Sequence, residues 1–378
     1  MGKKIKVLVI DDSAYNRKTI SEMLSHCDDI TVIGTATDGK DALKRVVELK
    51  PDIITLDLEM PRMDGFTFLR IMMKNFPTPT LVISSRDEDE NVFKALELGA
   101  VDFLAKPTHH ISSALFSIES ELIKKISMVK KVNMGVLRTE EEGDEDSLST
   151  KTTKPSPMTA RASKAPTQDQ PSKEEVISSS TAFPMVLIGS STGGPPALQT
   201  IFKILPGNIG AGIAISQHMP KGFTKSFADR LNKISPLRVA EATNGAIIHP
   251  GSVIIAPGGY HLSFKKSGNQ VKAVLTENKD HKYVPSVDLM FTSGAEIFGD
   301  RTISVIMTGM GDDGAKGIKN LKSHGGVTIA QSEQSSVIFG MPREAINTGA
   351  IDSILSLERI ANEVDNQCRK KRLLMVKQ

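Results

Sequence analysis

Serine, histidine and aspartate residues in the second half of the chain are the types from which a nucleophilic hydrolase site is built. Ser190 and Ser191 lie in the stretch GSSTGGPP, directly after the apolar run MVLI. His218 lies in GIAISQHMP after a second apolar run, and Asp312 and Asp313 follow a third in TISVIMTGMGDDG. A serine hydroxyl is a weak nucleophile unless a base lies within hydrogen-bond distance and a third group orients that base. These residues would supply all three roles.

The same glycine-rich stretches also admit a nucleotide-binding interpretation. Glycines let a backbone approach an anion closely, and they equally permit the tight turn that exposes a hydroxyl. The segment GMGDDG matches the pattern G-x-G-x-x-G after an apolar run. However, its Asp312 and Asp313 would place like charge beside a pyrophosphate, and the GSSTGGPP loop has no lysine. The pattern therefore favours a hydrolase, with a non-enzymatic nucleotide- or partner-binding output domain as the alternative.

The first third of the chain carries a second set of polar residues, each at the end of an apolar run. Asp11 and Asp12 follow VLVI, Asp57 follows DIITL, Ser84 ends TLVIS, and Lys106 follows FLA. Converging carboxylates repel each other unless a cation lies between them. Mg²⁺ prefers oxygen ligands and leaves places for water and a phosphate oxygen. The hydroxyl and the ammonium group would complete a site for a phosphoryl group on Asp57.

Both sets of residues depend on apolar runs that would position them. The runs IKVLVI, ITVIGTA, DIITLDL, TLVIS and DFLAK predict strands in the first part of the chain. The runs MVLIG, GIAIS, SVIIAP, TISVIMTG and VTIAQ predict strands in the second part. Helical patterns separate these runs, which is typical of parallel sheets with helices on both faces. Because the carboxyl ends of parallel strands line one crevice, residues after different strands can converge there.

Length and composition divide the chain into two folded domains and a linker. The 378 residues exceed a typical single domain. Residues 131–182 consist largely of Ser, Thr, Pro and charged residues, which predicts a disordered linker. The two domains would then occupy residues 1–130 and 183–378.

Charge and cysteine content limit the classes of partner and the cellular location that we expect. The 47 Lys and Arg residues nearly balance the 44 Asp and Glu residues, and the net charge of +3 gives no general attraction to nucleic acid or membrane. No helix-turn-helix pattern stands out, and no apolar stretch is long enough to span a bilayer. Cys27 and Cys368 are far apart, and no signal peptide is recognisable, so we expect a cytoplasmic protein without membrane insertion or a nucleic-acid partner.

The motifs of both halves resemble one known family. VLVIDDS, DIITLDLEMPRMDG, LVISS and FLAKP look like the receiver domain of two-component response regulators over residues 3–128. The motifs IGSSTGGPPAL, SQHMPKGFTKSFADRLN, HPGSVIIAPGGYH, PSVDLMFTS, VIMTGMGDDGAKG and VIFGMPREAI look like the catalytic domain of chemotaxis response-regulator methylesterases over about residues 184–355. The implied fold is α/β: a flavodoxin-like receiver domain, then a second doubly wound, mostly parallel catalytic domain.

The resemblance implies a role for each candidate residue. In the catalytic domain it assigns the nucleophile, base and acid to Ser191, His218 and Asp313, and the oxyanion hole to backbone N–H groups of Thr192 and Met310. Asp312 is then a neighbouring carboxylate beside this group. In the receiver domain it implies phosphorylation of Asp57, switch residues Ser84 and Lys106, and Mg²⁺ held by Asp11, Asp12, Asp57 and the carbonyl of Glu59.

The activity implied by the resemblance is the hydrolysis of glutamyl methyl esters on chemoreceptors, with release of methanol. Deamidation of receptor glutamines is implied as well. The phosphodonor would be a chemotaxis histidine kinase, and hydrolysis itself would need no cofactor. The resemblance further implies that the unphosphorylated receiver domain covers the Ser191 crevice and is displaced when Asp57 is phosphorylated.

Overall fold

The first domain is built on a five-stranded parallel sheet, as its apolar runs predict. In the computed structural model the described residues are 3–84, 89–106, 118–137, 183–277 and 281–376. The strands are β1 (Ile5–Ile10), β2 (Ile30–Ala36), β3 (Ile53–Leu56), β4 (Thr80–Ser84) and β5 (Asp102–Ala105). Their order, β2-β1-β3-β4-β5, is the flavodoxin-like order.

Helices cover both faces of this sheet. They are α1 (Ala14–Ser25), α2 (Gly39–Leu49), α3 (Gly65–Asn75), α4 (Asp89–Glu97) and α5 (Glu119–Ser127). Alternate residues of β1 point to opposite faces: Val7 packs in a buried cluster with Ile20 and Leu122 from α1 and α5, whereas Leu8 packs in a cluster with Phe68 from α3. The sheet is therefore buried on both sides, as in doubly wound folds.

The chain after α5 already contacts the second domain. A short helix, α6 (Met134–Leu137), follows a 3₁₀ turn at Val129–Lys131. Asn133 N–H donates to the Val337 carbonyl at 2.9 Å, and Leu137 is buried. The prediction of a disordered linker from residue 131 is therefore wrong for residues 131–137, because apolar side chains there pack in the core. The rest of the predicted linker, 138–182, lies outside the described residues.

The second domain contains a seven-stranded parallel sheet and an antiparallel hairpin. Its strands are β6 (Met185–Ser190), β7 (Gly212–Gln217), β8 (Arg238–Glu241), β9 (Ser252–Ile255), β10 (His261–Ser267), β11 (Gln270–Thr276), β12 (Thr302–Ile306), β13 (Val327–Gln331) and β14 (Ser353–Leu355). The large sheet has the order β14-β13-β12-β6-β7-β9-β8, and β10 pairs with β11. The central strands β12, β6 and β7 are fully buried.

The helices of the second domain are α7 (Gly194–Ile204), α8 (Phe223–Ile234), α9 (Val287–Phe298), α10 (Ala315–Ser323), α11 (Met341–Asn347) and α12 (Leu357–Val376). Two aromatic pairs join α8 to the receiver domain. Phe227 stacks on Phe93 of α4 with ring centroids 5.5 Å apart, and Phe223 lies 4.8 Å from Phe103 of β5. The α4 and β5 side of the receiver domain thus packs on the catalytic domain.

The helices described in the structure include none with both the length and the apolar character needed to cross a membrane.

Candidate active site and phosphoryl-acceptor site

The candidate nucleophile, base and acid follow three adjacent strands of the second sheet. Ser191 comes directly after β6, and His218 comes directly after the neighbouring β7. Asp313 lies in the loop that joins β12, the other neighbour of β6, to α10. Strand order therefore brings together three residues that are far apart in sequence.

Asp313 is fixed by donors from several directions. His218 Nε2 lies 2.8 Å from Asp313 Oδ2, and the N–H groups of Val287 and Asp288, in the first turn of α9, donate to the carboxylate at 2.7 and 2.9 Å. The Ser286 hydroxyl donates at 3.1 Å. Burial alone would raise the pKa of Asp313, but the hydrogen bond and charge of His218, with the backbone donors, hold it below its ordinary value. An ionised Asp313 engages Nε2, so Nδ1 of His218 is the nitrogen left for a serine proton.

The two neighbouring serines have different surroundings. Ser190, the last residue of β6, is fully buried, and its hydroxyl donates to Gln217 Oε1 at 2.7 Å. Ser191 is half-buried and lines a cleft together with His218. The Gln217 amide then donates to the carbonyls of Ser191 and His218 at 2.9 and 3.0 Å. Within the described part of the chain no hydrogen bond joins the Ser191 hydroxyl to His218; such catalytic bonds are often long before substrate binds.

The loop after Ser191 presents backbone donors to the same cleft. Thr192 and Met310 both line it, and within the described ranges neither N–H group has a protein acceptor. Gly193 has φ +76°, a left-handed conformation that glycine adopts without strain. A Cβ on Gly194 would lie 2.0 Å from Gln217 Oε1, so a larger residue there would displace the amide that binds the Ser191 and His218 carbonyls. The free N–H groups are suited to an oxyanion.

Asp312 does not contact His218 but binds the segment before α9. It accepts a hydrogen bond from the Tyr283 hydroxyl at 2.8 Å and one from Lys282 Nζ at 2.7 Å. The Tyr283 ring lies parallel to the His218 imidazole, with an interplanar angle of 6° and centroids 5.0 Å apart. Sequence reasoning missed Tyr283 and the Gln217 clamp, because only the fold brings them to the site.

The receiver domain forms one wall of the cleft, which has a volume of about 430 Å³. Thr192 Oγ1 donates to the Asp102 carboxylate of β5. Lys124 of α5 places its ammonium group 5.2 Å from the centroid of the Tyr283 ring. The receiver domain thus sits at the rim of the group that contains Ser191.

The receiver domain's own polar residues also meet at one sheet edge. Asp11, Asp12 and Asp57 can each place one carboxylate oxygen within 4.8 Å of the others, a spacing that fits a divalent cation. Lys106 Nζ lies 2.6 Å from Asp57 and 3.3 Å from Asp11. Burial raises the pKa of Asp57, and the charge of Lys106 offsets only part of that effect. Of the two further candidates, Ser84 is buried at the end of β4, the strand that pairs with β3, and Glu59 has an exposed side chain in the loop after β3.

Comparisons with known proteins cover both domains. The CheB methylesterase family matches residues 186–364, and the response regulator receiver domain family matches residues 7–114. The protein-glutamate methylesterase/protein-glutamine glutaminase 3 of Geobacter sulfurreducens is 47% identical over 97% of this chain and 98% of its own length. The chain belongs to the CheB methylesterase family.

Another CheB relative is the protein-glutamate methylesterase/protein-glutamine glutaminase of Pyrococcus abyssi, which is 41% identical over 96% of this chain and 93% of its own length. The crystal structure of the Thermotoga maritima CheB methylesterase catalytic domain is 43% identical, covers 49% of this chain and 99% of that chain, and superposes with a TM-score of 0.48. The family models and the near full-length identities confirm the CheB family predicted from the motifs, and the strand orders of the two parallel sheets agree with the predicted α/β fold.

Proposed function

We propose that this chain is a phosphorylation-activated protein-glutamate methylesterase and protein-glutamine glutaminase of chemotaxis. Its substrates would be glutamate methyl esters and particular glutamines of chemoreceptors. The observation that carries the proposal is the pair of buried Asp313 and half-buried His218, with 2.8 Å between the two side chains, beside Ser191 in an open cleft. The near full-length identity to proteins of this name supports it.

In the proposed reaction, Ser191 Oγ attacks the γ-carbonyl carbon of the glutamyl ester while Nδ1 of His218 accepts its proton. The N–H groups of Thr192 and Met310 stabilise the oxyanion that forms. His218 then donates the proton to the departing methoxide, and methanol leaves a glutamyl ester on Ser191. Water, deprotonated by His218, releases the glutamate. With a glutamine substrate the leaving group is ammonia.

The proposed role of the receiver domain is to accept a phosphoryl group on Asp57 from a chemotaxis histidine kinase. Asp11, Asp12, Asp57 and the Glu59 carbonyl would hold Mg²⁺, which would screen the negative charge of carboxylate and phosphoryl oxygens. Lys106 and Ser84 would bind the phosphoryl oxygens. Hydrolysis at Ser191 uses protein groups and water.

The proposed organisation is a receiver domain over residues 1–130, a linker and a catalytic domain over residues 183–378. Residues 131–137, at the start of the predicted linker, contact the catalytic domain through Asn133 and Val337, which supports placing the free part of the linker after residue 137. The proposed location is the cytoplasm, where a histidine kinase and receptor signalling segments are both accessible. The free thiols of Cys27 and Cys368 are compatible with a reducing compartment.

Release of methanol from methylated receptor fragments tests the function. We expect the full chain to release methanol and to do so faster when acetyl phosphate and Mg²⁺ are added. Ser191→Ala protein is the control for contaminating esterases. If no methanol or ammonia is released with the phosphodonor present, while the chain binds a nucleotide or a partner protein, the non-enzymatic alternative is correct.

Separating the domains should raise the basal rate. Because Asp102 and Lys124 line the rim of the cleft, a fragment of residues 183–378 is expected to hydrolyse the receptor ester faster than the intact, unphosphorylated chain. Phosphodonor should accelerate only the intact chain. Initial rates at equal protein concentration measure both effects. Equal, slow rates for fragment and intact chain would make the receiver an activator or a targeting module instead of a cover.

A further inference from the structure

One short segment holds two members of the candidate triad. Ser286, Val287 and Asp288 donate hydrogen bonds to the Asp313 carboxylate, as described above. Only a few residues earlier, the half-buried ring of Tyr283 stacks on the imidazole of His218. The segment from Tyr283 to Asp288 therefore contacts both the acid and the base.

The Tyr283 ring is itself held at its far end. Its hydroxyl donates to Asp312 at 2.8 Å, and burial raises the pKa of Tyr283, so the hydroxyl stays protonated as a donor. Hydrogen bonds from Lys282 and Tyr283 lower the pKa of Asp312, which keeps this carboxylate an ionised acceptor. Gly311, with φ +94°, leaves room for the contact, because a Cβ there would lie 2.2 Å from the Tyr283 hydroxyl.

The stack restricts a motion that Asp313 alone permits. One hydrogen bond to Nε2 still permits the imidazole plane to tilt within the limits set by the Cβ–Cγ bond, and such tilting would change the direction in which Nδ1 accepts a proton. A parallel aromatic ring against the imidazole face opposes that tilting. When Nδ1 accepts the serine proton, the imidazole becomes a cation on an aromatic face, which is a favourable contact. The restricted motion of the imidazole and the contact of the imidazolium with the Tyr283 ring would both stabilise the transition state of proton transfer.

We propose that Tyr283 is a positioning residue for His218 and that Asp312 holds Tyr283 in place. The proposal rests on the proposed function, because it requires His218 to be the general base. It also gives a role to Asp312, to which the family resemblance assigns none. Neither residue needs to touch the substrate for this role.

Besides the His218 imidazole, two lysine ammonium groups lie near the Tyr283 ring. Lys282 Nζ lies 4.8 Å and Lys124 Nζ 5.2 Å from the Tyr283 centroid. Lys124 belongs to the receiver domain, so its influence depends on domain docking. The experiment is therefore done on the full chain with acetyl phosphate and Mg²⁺ present, where all variants have the same activation state.

The test compares Tyr283→Leu with Tyr283→Phe in steady-state methanol release from methylated receptor fragments. Leucine removes the aromatic face, and we expect kcat to fall about 2- to 30-fold, the range of cation–π contacts, with KM nearly unchanged. Phenylalanine keeps the face and loses only the hydroxyl, so it should restore most of the lost kcat. Asp312→Ala should lower kcat by about the same small factor as Tyr283→Phe, and the double variant should show little further loss, since both remove the hydrogen bond between the Tyr283 hydroxyl and Asp312.

Each outcome decides a separate question. If Ser191→Ala is inactive but Tyr283→Leu has wild-type kcat, the proposal for Tyr283 fails and the proposed function stands. A raised KM with unchanged kcat would assign Tyr283 to substrate contact and would also overturn it. If Tyr283→Leu does not fold by circular dichroism, Asp312→Ala and the double variant with Tyr283→Phe decide, because the Asp312 side chain is 59% exposed and its loss leaves the core intact. A kcat equal to wild type in both variants refutes the proposal. Full activity of Ser191→Ala would refute the proposed function itself.

Discussion

Replacing Ser191 with alanine is expected to lower the rate of methanol release about a thousandfold or more, the usual effect of removing a triad member. Without the Oγ nucleophile no ester with the enzyme can form, and only transition-state contacts such as the oxyanion donors remain. Folding should be unaffected, because the Ser191 side chain is half-buried and its backbone carbonyl keeps the bond from Gln217. Turnover of methylated receptor fragments and a thermal melt measure the two properties.

Ser190→Ala is the matched control in the adjacent position. It removes a buried hydroxyl and leaves Gln217 Oε1 without its donor, which should cost about 1–3 kcal/mol of folding free energy. Its kcat should stay far closer to wild type than that of Ser191→Ala, because Ser190 lies in the sheet and does not line the cleft. Equal losses of turnover in the two variants would contradict the assignment of Ser191 as nucleophile.

Asp57→Asn is expected to abolish covalent phosphorylation by acetyl phosphate and Mg²⁺. An acyl phosphate forms only when a carboxylate oxygen attacks phosphorus, and an amide cannot replace it. The substitution also removes one of the three converging carboxylates that would hold the cation. Intact-protein mass spectrometry, done without acid or base treatment that would hydrolyse an acyl phosphate, measures the gain of a phosphoryl group.

Two controls sharpen this experiment. Chelation of Mg²⁺ should prevent phosphorylation of the wild-type chain, whereas Asp41→Asn, which changes a surface carboxylate paired with Arg45 on α2, should leave it intact. Without phosphodonor, Asp57→Asn should release methanol at the basal wild-type rate, and the donor should no longer accelerate it. Phosphate found on another residue of the Asp57→Asn variant would overturn the assignment.

The residues that end buried strands were predictable, since an apolar run followed by a polar residue marks the carboxyl end of a parallel strand. Ser191, His218, Asp57 and Lys106 all follow this pattern, and the fold places them where the pattern predicts. Loop residues were less predictable. Asp312 and Asp313 differ by one position, yet the backbone between two left-handed glycines directs them to different partners.

Other features carry no local signal at all. Tyr283 reaches His218 only because the loop before α9 folds across the carboxyl ends of the strands. The strands β8 and β14 lie at the edges of the large sheet, and the hairpin β10–β11 carries exposed lysines, so none of them shows a buried apolar run. The sequence does not show that residues 131–137 are ordered, because the residues that they contact, around Val337, are about 200 positions away in the chain.

The shared surface at the cleft couples two binding equilibria. Asp102 and Lys124 of the receiver domain line the same cleft as Ser191, so a receptor segment that enters this cleft would compete with the docked receiver domain. If phosphorylation of Asp57 weakens domain docking and so strengthens receptor binding by some factor, linkage requires a bound receptor segment to favour the phosphorylated receiver by the same factor. The substrate is then an allosteric effector of the phosphorylation site. Receptor binding and phosphorylation of Asp57 would then both favour the undocked receiver domain.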